Sequence, residues 1–290
     1  MINLLDIATY QEYEFRLNPA SGKHEYMLTP IDWNELAKDE RKFRAVFIKA
    51  AHGTAQPGLD GDAYPIASYT RNAIGARDAG ISFAPYHYWY WKINGRVVDP
   101  VIQAKAYFNA VEDTHIEHTL KHPMVDIEDP SIFPEVEPKV WTTAEANRAL
   151  LAARKVLASL RIYIEETANQ FKQEPQLYWG RWWWERLVAQ VRSWFPGDLD
   201  FFKGFYSYNA DYVPPMEEVK EWKINLWQYT SSPVPPVKGI KVLNGSRVDL
   251  AQWMRSDSDF ASWAGVGGVP GPALPSDALD RLWAAHPELH

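Results

Sequence analysis

The sequence predicts an α/β chain folded as a β/α barrel of the TIM-like type, regular in its first five β/α units and closed by strands with few helices. Three observations carry this expectation. Short β-branched or aromatic runs recur along the chain, helical patterns separate the early ones, and those patterns thin out after about residue 210. Strands that alternate with helices imply βαβ units and a parallel sheet, because a parallel crossover needs a dozen or more residues and is usually a helix.

The candidate strands are Ile2–Ala8, Ala45–Ala51, Ser82–Tyr90, Met124–Glu128, Gln176–Trp179, Gly204–Tyr208, Ile224–Tyr229 and Arg247–Ala251. The spacing predicts a helix over Pro30–Phe43, with Thr29 as N-cap and Pro30 at the first helical position. Further helices are expected over Tyr69–Ala79, stopped by Gly80, and over Pro100–Glu112. The longest runs from Thr143 to about Ala168, with Ala146, Leu150, Ala153, Leu157, Leu160 and Ile164 on one apolar stripe. A fifth spans Trp183–Trp194. Later connections differ. Ala210–Lys223 has room for one short helix, and Ser231–Gly239 holds three prolines and no helical pattern. Asn244-Gly245 between two apolar runs signals a hairpin.

Residues 1–264 read as the barrel. From Gly265 the chain turns to Gly and Pro, so 265–290 reads as a linker followed by a short helix over Ser276–Ala285, packed back on the barrel.

Composition narrows the function classes. The formal charge of −7 lacks the basic field that a general nucleic-acid or anionic-membrane binder needs. There is no cysteine, which removes disulfides, thiolate metal sites and a Cys nucleophile. The N-terminus lacks a signal-peptide pattern, and no stretch approaches the roughly 20 apolar residues of a membrane span. No Gly-x-Ser-x-Gly elbow or P-loop is present. The 14 Trp and 15 Tyr are abundant. Many suit a core, but Tyr88-Trp89-Tyr90-Trp91 and Trp182-Trp183-Trp184 fall at strand ends and in loops, where a flat ring can stack on a sugar.

In a parallel β/α barrel, functional groups collect where the strands end. Asp6 lies near the end of the first strand, Asp126 and Glu128 end the fourth, and Asp249 lies in the last. Asp126 and Glu128 are two apart, so a strand points both to one face. Two carboxylates held together cannot both ionise cheaply, and one then keeps a proton near neutral pH. Glycoside hydrolysis needs that pairing: one acid to protonate the leaving oxygen and one carboxylate to attack or stabilise the anomeric centre. A lone Asp-x-Glu is commonly a solvated strand end, but this one follows apolar Met124-Val125, where a charge is costly unless it faces a cleft.

These segments resemble glycoside hydrolase family 25, the Chalaropsis-type lysozymes. Asp6-Ile7-Ala8-Thr9-Tyr10-Gln11 resembles the family's opening Asp-x-Ser-x-aromatic-Gln. Val46-Phe47-Ile48-Lys49-Ala50-Ala51-His52-Gly53 is similar to its Ile-Lys-Ala-Thr-Glu-Gly, and Pro85-Tyr86-His87-Tyr88 to its Tyr-His-Phe. Asp126-Ile127-Glu128, Tyr178-Trp179-Gly180, Leu226-Trp227-Gln228-Tyr229-Thr230-Ser231 and Val248-Asp249-Leu250 follow in the family's order. The likeness spans about residues 1–255.

The resemblance implies a muramidase, such as a phage endolysin, that cleaves β-1,4 bonds of bacterial peptidoglycan. It implies Glu128 as general acid, Asp126 as its assistant, and Asp6 and Asp249 as the remaining acidic floor. Lys49, Tyr88, Tyr178 and Trp227 would contact sugars. Ala8 in place of Ser, and Ala51-His52 in place of Thr-Glu, depart from the pattern, and Gln11–Thr29 is a long insert. The expected partner is the glycan strand of the cell wall, met by a monomer that needs no cofactor or metal. Without a signal peptide, such an enzyme would reach the wall as a phage product released at lysis, or with its signal removed. Two alternatives stay open: a non-catalytic glycan-binding or phage structural protein on the same fold, and a metal-dependent amidase or deacetylase using His52, His87 and the carboxylates.

Overall fold

The computed structural model describes residues 2–8, 11–54, 64–132, 143–180, 196–210, 216–241 and 248–265. The expected helix over Trp183–Trp194, the Trp182–Trp184 run, the Asn244-Gly245 turn and the segment after Gly265 lie outside the described residues.

The chain opens with strand β1 (Asn3–Ile7), then a hairpin of β2 (Tyr13–Asn18) and β3 (Lys23–Leu28), a single-turn helix α1 (Trp33–Leu36) and β4 (Ala45–His52). Helix α2 (Tyr64–Asp78) leads to β5 (Ser82–Tyr88). A miniature hairpin of β6 (Lys92–Ile93) and β7 (Arg96–Val97) precedes α3 (Pro100–Glu112) and β8 (Met124–Ile127). The long α4 (Thr143–Phe171), β9 (Gln176–Trp179), β10 (Ser207–Ala210), α5 (Met216–Glu221), β11 (Ile224–Thr230), β12 (Asp249–Trp253) and α6 (Asp257–Ala264) complete the described α-helices and strands.

Eight strands close a barrel in the order β1-β12-β11-β10-β9-β8-β5-β4. Seven run parallel; β12 runs against both of its neighbours, β11 and β1. Alternation along each strand divides the core in two. Leu4, Phe47, Ala84, Met124, Leu226 and Trp253 fill the interior. The opposite faces pack outward, Val125, Ile127 and Leu177 against the Ala153, Val156, Leu157 and Leu160 stripe of α4. The sequence expectation for that helix holds, with a somewhat longer C-terminal end.

Other segments differ from expectation for local reasons. The helix expected over Pro30–Phe43 is only Trp33–Leu36. Its N-cap is Asp32, whose carboxylate accepts from Glu35 N–H at 3.1 Å. Beyond Leu36, the Asp39 carboxylate takes the Arg41 N–H at 3.0 Å and the Arg41 guanidinium at 2.7 Å, and Lys42 turns into the left-handed region at φ 51°. An Asp side chain that bonds its own backbone two residues on competes with the helix. The Gln11–Thr29 insert forms the β2–β3 hairpin. The strand expected from Gly204 begins at Ser207, and that expected from Arg247 is Asp249–Trp253. Ile240 and Lys241 lie outside any strand, so β12 pairs with β11 and β1 instead of with them.

Helix α6 was not anticipated, although Ser256 caps it by accepting from Asp259 N–H at 3.2 Å. Its Phe260 and Trp263 pack on Trp253 beneath the barrel, where Trp263 also reaches Phe47. Among the described residues, no helix is long and apolar enough to cross a membrane.

Candidate active site

The interior face that carries Leu4, Phe47, Tyr86 and Met124 carries, further along the same strands, Asp6, Lys49, Tyr88, Asp126 and Glu128. These sit toward the C-terminal ends of the parallel strands, the end where barrel sites form. Asp249 reaches that end by another route. It is the first residue of β12, and because β12 is antiparallel, its start stands level with the finish of β1: Asp6 and Asp249 are direct register partners. Across the sheet, Tyr88, Asp126, Tyr178 and Tyr208 are successive register partners on β5, β8, β9 and β10.

Asp126 is 7% exposed and Asp6 8%, whereas Glu128, one residue past the end of β8, is only partly buried. The carboxylates therefore form a deep floor and an accessible rim. Burial, then the Glu128 charge, pushes the Asp126 carboxyl well above the usual range; Lys49 opposes this. Burial, then Asp249, does the same to Asp6, against a hydrogen bond from Tyr86. Lys49 is the cation among them: burial lowers its pKa, while Asp126, Asp6 and Glu128 hold it up. Its Nζ lies 5.0 Å from the Tyr88 ring centroid. A floor of this kind favours the protonated form of its buried carboxyls. One Asp126 carboxylate oxygen is buried with no hydrogen-bond partner, as expected of a group kept for a ligand.

Two of the four expected sugar contacts, Lys49 and Tyr88, stand at this mouth. Tyr178 is buried in its wall, where its hydroxyl donates to Gln228 Oε1 at 2.8 Å. Trp227 is not with them. It is 2% exposed and packs in the outer apolar layer with Trp179, Trp222 and Met254. Strand parity is the reason: Gln228, its neighbour, takes the inward position. Tyr86, Tyr208 and Gln228 belong to the site and were missed. Period-two counting along β5, β10 and β11 finds each of them.

His87 faces outward from β5 and is fully buried. Its Nε2 lies 2.9 Å from the Gly53 carbonyl, which can only accept, so Nε2 carries the proton and Nδ1 accepts from the Tyr163 hydroxyl at 2.9 Å. Burial lowers its pKa to about 3. A histidine depressed in the fold favours folding above its unfolded value and loses that contribution as pH falls toward the folded one. Stability should thus drop between pH 6.5 and 4 by up to about 1.4 kcal/mol per pH unit from this group. His87→Gln should flatten that slope in urea melts at pH 7 and pH 5; equal slopes in both proteins would refute the assignment.

An alternating barrel with a carboxylate floor, an accessible glutamate and flanking aromatic rings defines a glycoside hydrolase. The sequence profile of glycosyl hydrolases family 25 matches residues 29–238, more than two thirds of the chain, and the chain belongs to that family. The matched stretch holds Lys49, Tyr88, Asp126 and Glu128, while Asp6 and Asp249 lie outside it.

Solved structures agree on the fold. A family GH25 lysozyme from Aspergillus fumigatus is 18% identical over 91% of this chain and 98% of its own, with a TM-score of 0.56. A family 25 glycosyl hydrolase from Bacillus anthracis is 18% identical over 91% and 94%, with a TM-score of 0.54. A muramidase from Acremonium alcalophilum is 17% identical over 92% and 100%, also at 0.54. Among curated proteins no sequence matches significantly.

Proposed function

We propose that this enzyme is a muramidase that cleaves the β-1,4 bond after N-acetylmuramic acid in bacterial peptidoglycan, with Glu128 as general acid. The observation that carries the reading is the convergence of Asp6, Asp126 and Glu128 around Lys49 on one interior face, with Asp249 beside Asp6 and Glu128 the more open of the two Asp-x-Glu carboxylates. An accessible acid can meet a glycosidic oxygen; a carboxylate on the floor cannot. Asp126, one oxygen unsatisfied, assists from below by stabilising positive charge at the anomeric centre or orienting the acetamido group. Lys49 and Tyr88 line the sugar path. Family membership and the muramidase and lysozyme neighbours support the same substrate.

Digestion of purified cell walls followed by reducing-end analysis tests this directly. New N-acetylmuramic acid ends are expected; N-acetylglucosamine ends would make the enzyme a glucosaminidase. The metal-dependent alternative loses one of its ligands, because both nitrogens of His87 are engaged by Gly53 and Tyr163. Activity that disappears in EDTA and returns with added metal would revive it.

The floor should cost stability. A carboxylate whose pKa rises on folding favours the fold below its unfolded value and loses that benefit as pH climbs through the folded one. Asp126→Asn should therefore raise the melting temperature at pH 7, by about 2–4 °C for a gain of about 1 kcal/mol, and gain less at pH 4. A lower melting temperature at pH 7 would show that the Lys49 pairing outweighs burial.

A further inference from the structure

The Trp89-Tyr90-Trp91 segment that follows β5 is built to present one ring. Trp89 and Trp91 are buried in the apolar layer with Val125, Ile127 and Trp179, while Tyr90 between them is only partly buried. Its backbone is held on every side. Tyr90 N–H donates to Gln103 Oε1 at 3.0 Å, and Gln103 Nε2 donates back to the Tyr90 carbonyl at 2.8 Å; Gln103 is fully buried. Trp89 N–H donates to the Asp126 carbonyl at 3.0 Å, and Trp91 N–H to the Asp129 carboxylate at 2.5 Å. The same β8 end that carries Asp126 and Glu128 thus fixes the Tyr90 segment.

The presented ring has partners of its own kind. The Tyr90 centroid is 4.9 Å from that of Tyr88 at 49°, and 6.1 Å from that of His52 at 84°. His52 and Tyr88 are register partners at the ends of β4 and β5, and Tyr88 is the register partner of Asp126. Two tilted phenols and an edge-on imidazole make a corner beside the carboxylates. Flat apolar faces with polar edges match the C–H face and the hydroxyls of a pyranose.

We propose that Tyr90, with Tyr88 and His52, forms a subsite that stacks a pyranose of the glycan strand one residue removed from the bond being cleaved. It rests on the muramidase reading above. Two buried Trp anchors, a buried Gln clamp and an Asp tether spent on one half-buried ring fix its orientation in advance of the ligand, so little ordering cost remains on binding.

The test compares Tyr90→Ala, Tyr90→Phe and wild type on peptidoglycan glycan fragments freed of stem peptides, a tetrasaccharide and an octasaccharide. Loss of one stacked ring should raise KM for the octasaccharide by about tenfold in Tyr90→Ala, with Tyr90→Phe within about threefold of wild type. The tetrasaccharide KM should rise by a similar factor, because four sugars centred on the cleaved bond already reach this subsite. An unchanged octasaccharide KM, or a fall in kcat alone, would overturn the subsite.

If wild type cleaves neither fragment, the muramidase reading fails separately. Calorimetric binding of the octasaccharide to Glu128→Gln and to Glu128→Gln/Tyr90→Ala then decides: a tenfold gap in Kd supports the subsite, and equal values reject it. Should Tyr90→Ala melt below the assay temperature, His52→Ala replaces it. A KM raised about threefold supports the corner and an unchanged one refutes it.

Discussion

Glu128→Gln is expected to lower kcat on purified cell walls by about 10³-fold, within the 10²–10⁴ range of a lost general acid. The substitution keeps the shape and the hydrogen-bonding reach of the side chain but removes the proton that the leaving oxygen needs. Asp126 lies two residues earlier on the same face, yet it is 7% exposed, and Asp6 sits equally deep. Asp249 is partly buried, as Glu128 is, but it stands on β12, four strands from β8 in either direction around the barrel. The effect should fall on kcat with KM little changed, because the interaction lost belongs to the transition state. Reducing-sugar release measures it, alongside a thermal melt showing the variant folded. Residual activity of a few per cent or more would move the acid role to another carboxylate.

Gly239→Ala should be strongly damaging although it lies outside the site, costing about 3 kcal/mol, or roughly 6–12 °C in melting temperature. Gly239 has φ +84°, and a Cβ there would lie 2.2 Å from the Asp32 carbonyl oxygen and 2.9 Å from the Leu36 nitrogen. Both are backbone atoms, one of the residue that caps α1 and one of its last residue, so no side chain can swing aside. The close approach is itself a bond, Asp32 N–H donating to the Gly239 carbonyl at 2.8 Å.

That contact fastens the Pro-rich segment to the barrel. Val237 and Ile240 pack in one apolar cluster with Ile31, Trp33, Leu36, Val248 and Leu250. Gly22→Ala provides the comparison. Gly22 also has positive φ, but a Cβ there meets nothing within 4 Å, so backbone strain of about 1 kcal/mol is all it should lose. Equal melting temperatures for the two variants would mean that the segment yields and the clash is relieved.

Much of the site was legible because strand parity is a local property. Asp126 and Glu128 share a face by being two apart, and their place at a strand end follows from the apolar run before them. The alternation of strands and helices likewise marked a barrel with a sparsely helical second half. The resemblance then assigned roles that spacing could not.

Reasoning along the chain failed where an answer depends on what a segment packs against. Pro30–Phe43 has the composition of a helix, but the Asp39 carboxylate, shared by Arg41 and the Lys238 N–H, holds its second half as a turn. Trp227 reads as a sugar contact by motif, yet the register of β11 turns it outward and Gln228 inward. Tyr90 is one aromatic among four in the sequence, and only the packing of Gln103 and Asp129 against its segment sets it apart.

The carboxylate floor divides the same way. Asp6 and the Asp126-Ile127-Glu128 triplet needed only the sequence, since a parallel strand carries its last residues to the mouth. Asp249 begins its strand, and a parallel β12 would have buried it at the far end. Only the reversal of β12 against β11 and β1 sets it level with Asp6. Periodicity decides which face a residue takes, but strand direction is decided by pairing with distant segments.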